Sequence, residues 1–165
     1  MPTDSDFLVL SERVGQKLRA AGRRLVTAES CTGGWVAKVC TDVAGSSQWF
    51  ECGFVTYSNA AKMRDLGVTE RTLSSHGAVS EPTVREMAAG ALRVTAADVA
   101  VAISGIAGPD GGTVAKPVGT VWLAVASRRG AEVVLHAQMQ VFPGDRELIR
   151  RGAVERALQM VLAAD

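Results

Sequence analysis

Histidine is scarce in this chain: 165 residues hold only His76 and His136, far apart. That spacing offers no zinc-type ligand cluster. The three cysteines, Cys31, Cys40 and Cys52, form no Cys-x-x-Cys pair and cannot all be disulfide-bonded to one another. Neither Gly-x-Ser-x-Gly nor a Walker phosphate loop is spelled out. No apolar run approaches the roughly 20 residues that span a bilayer. The N-terminal Met-Pro-Thr-Asp-Ser-Asp is acidic and lacks the basic stretch of a signal peptide. Excess charge is missing too, with a formal net charge of +1. Basic residues are dispersed apart from Arg23-Arg24, Arg128-Arg129 and Arg150-Arg151, each read as a solvated face or helix end. These absences count against nucleic-acid and membrane partners. They lead to the expectation of a reduced, cytoplasmic protein.

What is present is ordinary in bulk and pointed in detail. Hydrophobic residues at 47% and charged ones at 21% suit a soluble globular chain, and the length suits one domain over 1–165. The chain is organised around Val26-Thr-Ala-Glu-Ser-Cys-Thr-Gly-Gly-Trp35. A short apolar run ends at Glu29 and Ser30, passes a glycine turn and resumes as helix through Trp35, Val36 and Val39. Such a strand–turn–helix aims backbone N–H groups at an anion and lifts a strand-end side chain clear of the sheet. Ser30 or Cys31 then stands as a candidate nucleophile. Thr32 is the expected N-cap of the helix.

Helical spacing of Phe7, Leu10, Val14, Leu18 and Ala21 predicts a helix over 5–21, stopped at Gly22. Strands are expected at 25–28, 50–57 and 98–103, the last a central strand rich in valine and alanine. Asn59 is the expected cap of a helix over 60–66 closed by Gly67, and Thr69 opens a short turn ending near His76. Ser80-Glu-Pro82 opens a longer helix, and Asp145 opens the last one. Strands 120–127 and 132–141 read as an antiparallel hairpin turning at 128–131. Between the central strand and that hairpin lies a glycine- and proline-rich loop, 104–119, beyond a carboxyl strand end where open α/β sheets place ligands. The sum is an α/β fold: a three-layer α/β/α domain with a mixed, mostly parallel sheet and an antiparallel hairpin near the C-terminus.

Several polar residues fall at element ends: Ser30, Ser46, Ser47, Tyr57, Lys62, Ser104 and Arg146. Tyr57 closes a strand, and Lys62 lies in the first turn of the next helix. A cation there opposes the helix dipole, which favours a neutral amine able to take a proton from a serine hydroxyl. The bland alternative is a lysine lying along the surface. For an oxyanion, the N–H groups of Thr32, Gly33 and Gly34 are suitable donors at a helix start, as are those from Ser104 and Gly105 to Gly108. Arg146, beside a helix N-terminus, gains nothing from the dipole and suits a phosphate or carboxylate contact. Weaker candidates are a Cys31 thiolate, His76 lining a site, and Glu29 with Asp110 around a cation. Glu29 is also read as orienting the serine loop or accepting its backbone hydrogen bonds.

Five motifs in order carry a resemblance: Thr-Ala-Glu-Ser-Cys-Thr-Gly-Gly (27–34), Ala-Gly-Ser-Ser (44–47), Gly-Phe-Val-Thr-Tyr-Ser-Asn-x-x-Lys (53–62), Gly-Ala-Val-Ser (77–80) and the Ser-Gly-Ile-Ala-Gly-Pro-Asp-Gly-Gly run with Lys-Pro-Val-Gly-Thr-Val-Trp (104–122). The chain resembles the CinA C-terminal-domain family, whose members include nicotinamide-nucleotide amidohydrolases. The resemblance implies hydrolysis of nicotinamide mononucleotide to nicotinate mononucleotide and ammonia, within pyridine-nucleotide (NAD) recycling, with no cofactor and no required metal. It implies Lys62 as base, Tyr57 as its hydrogen-bonding neighbour and Ser30 or Ser47 as nucleophile. Ser104, often threonine in the family, and Arg146 would bind substrate or stabilise charge. The chain looks like the stand-alone form, since longer members carry an extra N-terminal domain. A homo-oligomer is expected. The rival readings are a non-catalytic nucleotide-binding module and a protein-interaction domain tied to DNA uptake or repair.

Overall fold

The stretch Val99-Ala-Val-Ala-Ile103 alternates in size rather than in polarity, and all five residues are buried. Val99, Val101 and Ile103 join one hydrophobic cluster, while Ala100 and Ala102 join another. A strand buried on both faces needs no polar side, so the two faces differ in what packs on them. In the computed structural model, which describes residues 2–164, that alternation separates two helical layers.

The elements are α1 (Asp4–Ala20), β1 (Leu25–Glu29), α2 (Trp35–Thr41), a 3-10 turn (Ser46–Gln48), β2 (Phe50–Val55), α3 (Asn59–Leu66), α4 (Glu70–His76), α5 (Glu81–Val94), β3 (Val99–Gly105), β4 (Thr120–Arg129), β5 (Glu132–Val141) and α6 (Arg146–Ala163). The sheet runs in the order β2-β1-β3-β4-β5. β1 pairs in parallel with β2 and β3, and β4 is antiparallel to β3 and β5. Four strands therefore point one way and only β4 is reversed, giving the expected mixed α/β/α sandwich. Helices α1, α2 and α6 pack over the larger side chains, including Leu25, Ile103, Val121 and Leu123. On the alanine face α5 lies against β1, β3 and β4, with α3 and α4 beside it. Successive connections from β1 and β2 leave on opposite faces, so the carboxyl ends of β1, β2 and β3 open into one crevice.

Several boundaries differ from the sequence expectation for local reasons. Ser58, not Asn59, caps α3: its hydroxyl accepts the Ala61 N–H at 3.1 Å. Residues 70–76 complete a helical segment, because Thr69 caps it through the Thr72 N–H. β4 runs two residues further than 127, which leaves Gly130 and Ala131 between the strands. Thr32 caps nothing. Its hydroxyl is buried without a partner among the described residues, and α2 begins instead behind Gly34, which has φ +92°. Among the described residues no helix is long and apolar enough to cross a membrane.

The seating of α3 against α5 depends on Gly90. A Cβ there would stand 1.9 Å from the Leu66 carbonyl oxygen at the end of α3, a backbone atom that cannot rotate aside. Gly90→Ala is expected to cost about 1–3 kcal/mol through overpacking despite the better helix propensity of alanine, as read by urea unfolding. Unchanged or increased stability would show that α3 is not held by this contact.

Candidate active site

β1 delivers two buried polar residues to the crevice, Glu29 and Ser30. Glu29 does what the expected Thr32 cap does not. Its carboxylate accepts the N–H groups of Gly34 and Val36, both at 3.1 Å, and of Ala37 at 2.9 Å. It reaches them because Gly33 and Gly34 both take positive φ and fold the chain back over the strand end. Fully buried, the carboxylate is satisfied by the start of α2 and leaves no oxygen aimed at a cation. Asp110 stays exposed on the glycine loop, so the pairing of Glu29 with Asp110 around an ion is not formed.

Lys62 enters from the other helical layer. Its side chain is 1% exposed, and Nζ lies 3.0 Å from Ser30 Oγ, 2.8 Å from the Thr56 carbonyl and 3.2 Å from the Tyr57 carbonyl. Two of the three neighbours can only accept. As an ammonium Lys62 donates to all three; in its neutral form the amine can give two N–H bonds to the carbonyls and its lone pair to the Ser30 hydroxyl. Burial pushes the Lys62 pKa below the ordinary 10.5, with Cys31 opposing slightly. From the sequence the same direction is expected, but from the helix dipole. Burial under the β2–α3 connection is the cause. The surface-lysine alternative is excluded by the 1% exposure.

The other candidates divide by position. The Tyr57 carbonyl, not its phenol, meets Lys62, while its ring is 62% exposed and its hydroxyl accepts from Arg146 Nη2 at 3.2 Å. Arg146 Nη1 donates to the Gly108 carbonyl at 2.7 Å, so this arginine ties the glycine loop to the mouth of the crevice. Ser104 is buried next to the serine turn, since the Ser30 N–H donates to Ile103 at 3.0 Å. Gly105 has a packing reason for lacking a side chain: a Cβ would stand 2.7 Å from Val121 Cγ2. Ser46 and Ser47 lie elsewhere. They form the 3-10 turn before β2, and the six residues of that strand, at about 3.3 Å each, separate them from Tyr57 and Lys62. In this chain Ser47 does not approach Lys62. His76 ends α4, where its carbonyl accepts from Lys116. Cys31 is buried, and burial pushes its thiol up to about 11, which argues against a reactive thiolate.

The loop N–H groups are mostly committed. Gly33 donates to the Ser30 carbonyl, Gly34 to Glu29 and Trp35 to the Thr32 carbonyl, so Gly33 and Gly34 do not supply the open donors expected of them. Those of Cys31 and Thr32 have no acceptor among the described residues. The sequence reading also missed Arg150. From α6, its Nε donates to the Cys31 carbonyl at 3.1 Å and its Nη2 to the Thr32 carbonyl at 3.0 Å, with the guanidinium 5.0 Å from the Trp35 ring centre. In sequence it is one half of a basic pair some 120 residues from the loop, and no local pattern marks it.

Comparison with known proteins shows which family the chain resembles. A family profile described as the CinA C-terminal domain matches residues 8–164. The chain is 62% identical over 157 residues to nicotinamide-nucleotide amidohydrolase PncC of Escherichia coli strain K12, covering 95% of this chain and 93% of that one. It is 57% identical to the protein of the same name from Enterobacter agglomerans, covering 93% and 92%. Its fold superposes on the crystal structure of competence/damage inducible protein CihA from Agrobacterium tumefaciens with a TM-score of 0.90, at 44% identity, over 99% of this chain and 96% of the other.

Glu29→Gln puts an amide donor among the N–H groups that the carboxylate now accepts. A loss of roughly 2–3 kcal/mol in urea unfolding is expected, from buried donors left without an acceptor. A loss under about 0.5 kcal/mol would mean that the α2 start is held by other means.

Proposed function

The chain belongs to the CinA C-terminal domain family, and from that premise we propose that it hydrolyses the carboxamide of nicotinamide mononucleotide, releasing ammonia and nicotinate mononucleotide. The observation that carries this reading is the 3.0 Å approach of Lys62 Nζ to Ser30 Oγ inside a buried site whose other acceptors are carbonyls. High identity to relatives named for the same hydrolysis supports the substrate. Recycling of pyridine nucleotides is the role that such a product serves.

In this mechanism neutral Lys62 takes the Ser30 proton as Oγ bonds to the carboxamide carbon, giving a tetrahedral intermediate with its charge on oxygen. The Lys62 ammonium then protonates the departing nitrogen, the C–N bond breaks and ammonia leaves an ester on Ser30. Water, giving its proton to Lys62, attacks that ester, and Oγ leaves with the proton returned to it. One group thus serves as base and acid in turn. The Thr56 and Tyr57 carbonyls hold the amine in place throughout. The open end of the crevice, with Tyr57 and Arg146, receives the rest of the nucleotide, where the exposed guanidinium suits its phosphate.

The test is ammonia release from nicotinamide mononucleotide. Ser30→Ala and Lys62→Ala are each expected to lower kcat by at least about 10³-fold, and Ser47→Ala by less than about threefold. The wild-type rate is expected to rise with pH as Lys62 sheds its proton, on a limb below the 10.5 of an ordinary lysine. Near-normal turnover by Ser30→Ala would refute the serine–lysine mechanism. Tight nucleotide binding by the wild type without ammonia release would replace the hydrolase by the nucleotide-binding module.

A further inference from the structure

The four residues Ser30–Gly33 form a turn closed by the Gly33 N–H donating to the Ser30 carbonyl at 3.0 Å. When serine opens such a turn, the N–H two residues on faces its side-chain oxygen, as serine and aspartate turns recurrently show. That N–H belongs to Thr32. Here the Ser30 hydroxyl is turned to Lys62, and the Thr32 N–H carries no hydrogen bond among the described residues. An unpaired donor beside a nucleophile is where a tetrahedral oxyanion would sit.

What aims that donor lies on the far side of the loop. A trans peptide points its C=O and N–H in opposite directions. Arg150 holds the Cys31 carbonyl at 3.1 Å, so the N–H of the same peptide, that of Thr32, is directed away from Arg150. The next peptide confirms the sense. Its carbonyl, that of Thr32, is also held by Arg150 at 3.0 Å, and its N–H is the one that turns back to Ser30. A second contact fixes the clamp: the guanidinium packs against the Trp35 ring at the start of α2. The planar fork of an arginine serves two adjacent carbonyls at once, which a lysine ammonium does less well. A positive charge on the carbonyl oxygen also polarises the peptide and strengthens its N–H as a donor.

We propose that the Thr32 N–H is the oxyanion donor of this site and that Arg150 is the positioning residue that aims it, by clamping the Cys31 and Thr32 carbonyls from behind. The proposal rests on the serine–lysine reading above. It adds an acting group on a residue 120 positions away from the nucleophile, with no substrate contact of its own.

The test measures kcat and KM for ammonia release from nicotinamide mononucleotide and from its thioamide analogue, in wild type, Arg150→Met and Arg150→Lys. Sulfur is the poorer hydrogen-bond acceptor, so an oxyanion donor matters less for the thioamide. Arg150→Met is expected to lower kcat on the amide by roughly 10²-fold, with KM within about threefold. Its loss on the thioamide is expected to be at least about tenfold smaller, and Arg150→Lys is expected to fall between wild type and Arg150→Met. Should Arg150→Met fail to fold, as shown by its thermal transition, Arg150→Lys carries the same comparison. Equal losses on amide and thioamide would overturn the proposal, as would a raised KM with unchanged kcat, which would make Arg150 a substrate contact. Ser30→Ala separates the two levels. If it is inactive while the Arg150 variants turn over normally, the clamp alone is wrong; if it is active, the serine–lysine reading falls.

Discussion

A lysine amine buried with no carboxylate partner among the described residues is the constraint on which the site depends. Lys62 is nearly inaccessible, and the oxygens around its Nζ are one hydroxyl and two backbone carbonyls. Removing a charge from water is costly, and a neighbouring carboxylate would have offset that cost by holding the proton on. Glu29 is equally buried and sits one residue from Ser30, yet its charge is spent on three N–H groups of the α2 start. Backbone therefore satisfies each ionisable group separately. Burial is left to pull Lys62 towards its neutral form.

The same arrangement requires both helical layers. Ser30 and Glu29 come from the central sheet, Lys62 from α3 on one face and Arg150 from α6 on the other. The alanine side of β3 and β4 brings α5 close to the sheet, and Gly90 lets the end of α3 rest on α5. The valine and leucine side makes room for the thicker layer of α1, α2 and α6. Layer spacing, set by side-chain size, thus decides whether the lysine from one face reaches a serine at the carboxyl end of the interior strand β1. Arg150 works from the opposite face against the back of the serine loop.

The sequence by itself determined the class of fold, because the periodicities are local: helical spacing along 5–21, the Ser80-Glu-Pro82 start, the hairpin at 120–141 and the strand–turn–helix at 26–35. It also marked Ser30 and Lys62 as residues at element ends, which the structure brings within 3.0 Å of each other. Cap positions were less legible. Ser58 and Asn59 are both good caps, and a Glu29 carboxylate reaching over two glycines has no signature in the spacing of a Thr–Gly–Gly turn. Only the tertiary structure set Ser30, and not Ser47, beside Lys62, since both stand at strand ends in the sequence and the parallel sheet sends those ends to opposite sides of the molecule. It alone turned the Tyr57 carbonyl rather than its phenol towards Lys62, and brought Arg150 from the last helix to the loop near residue 30. Those facts depend on contacts between distant segments, which a local pattern does not encode.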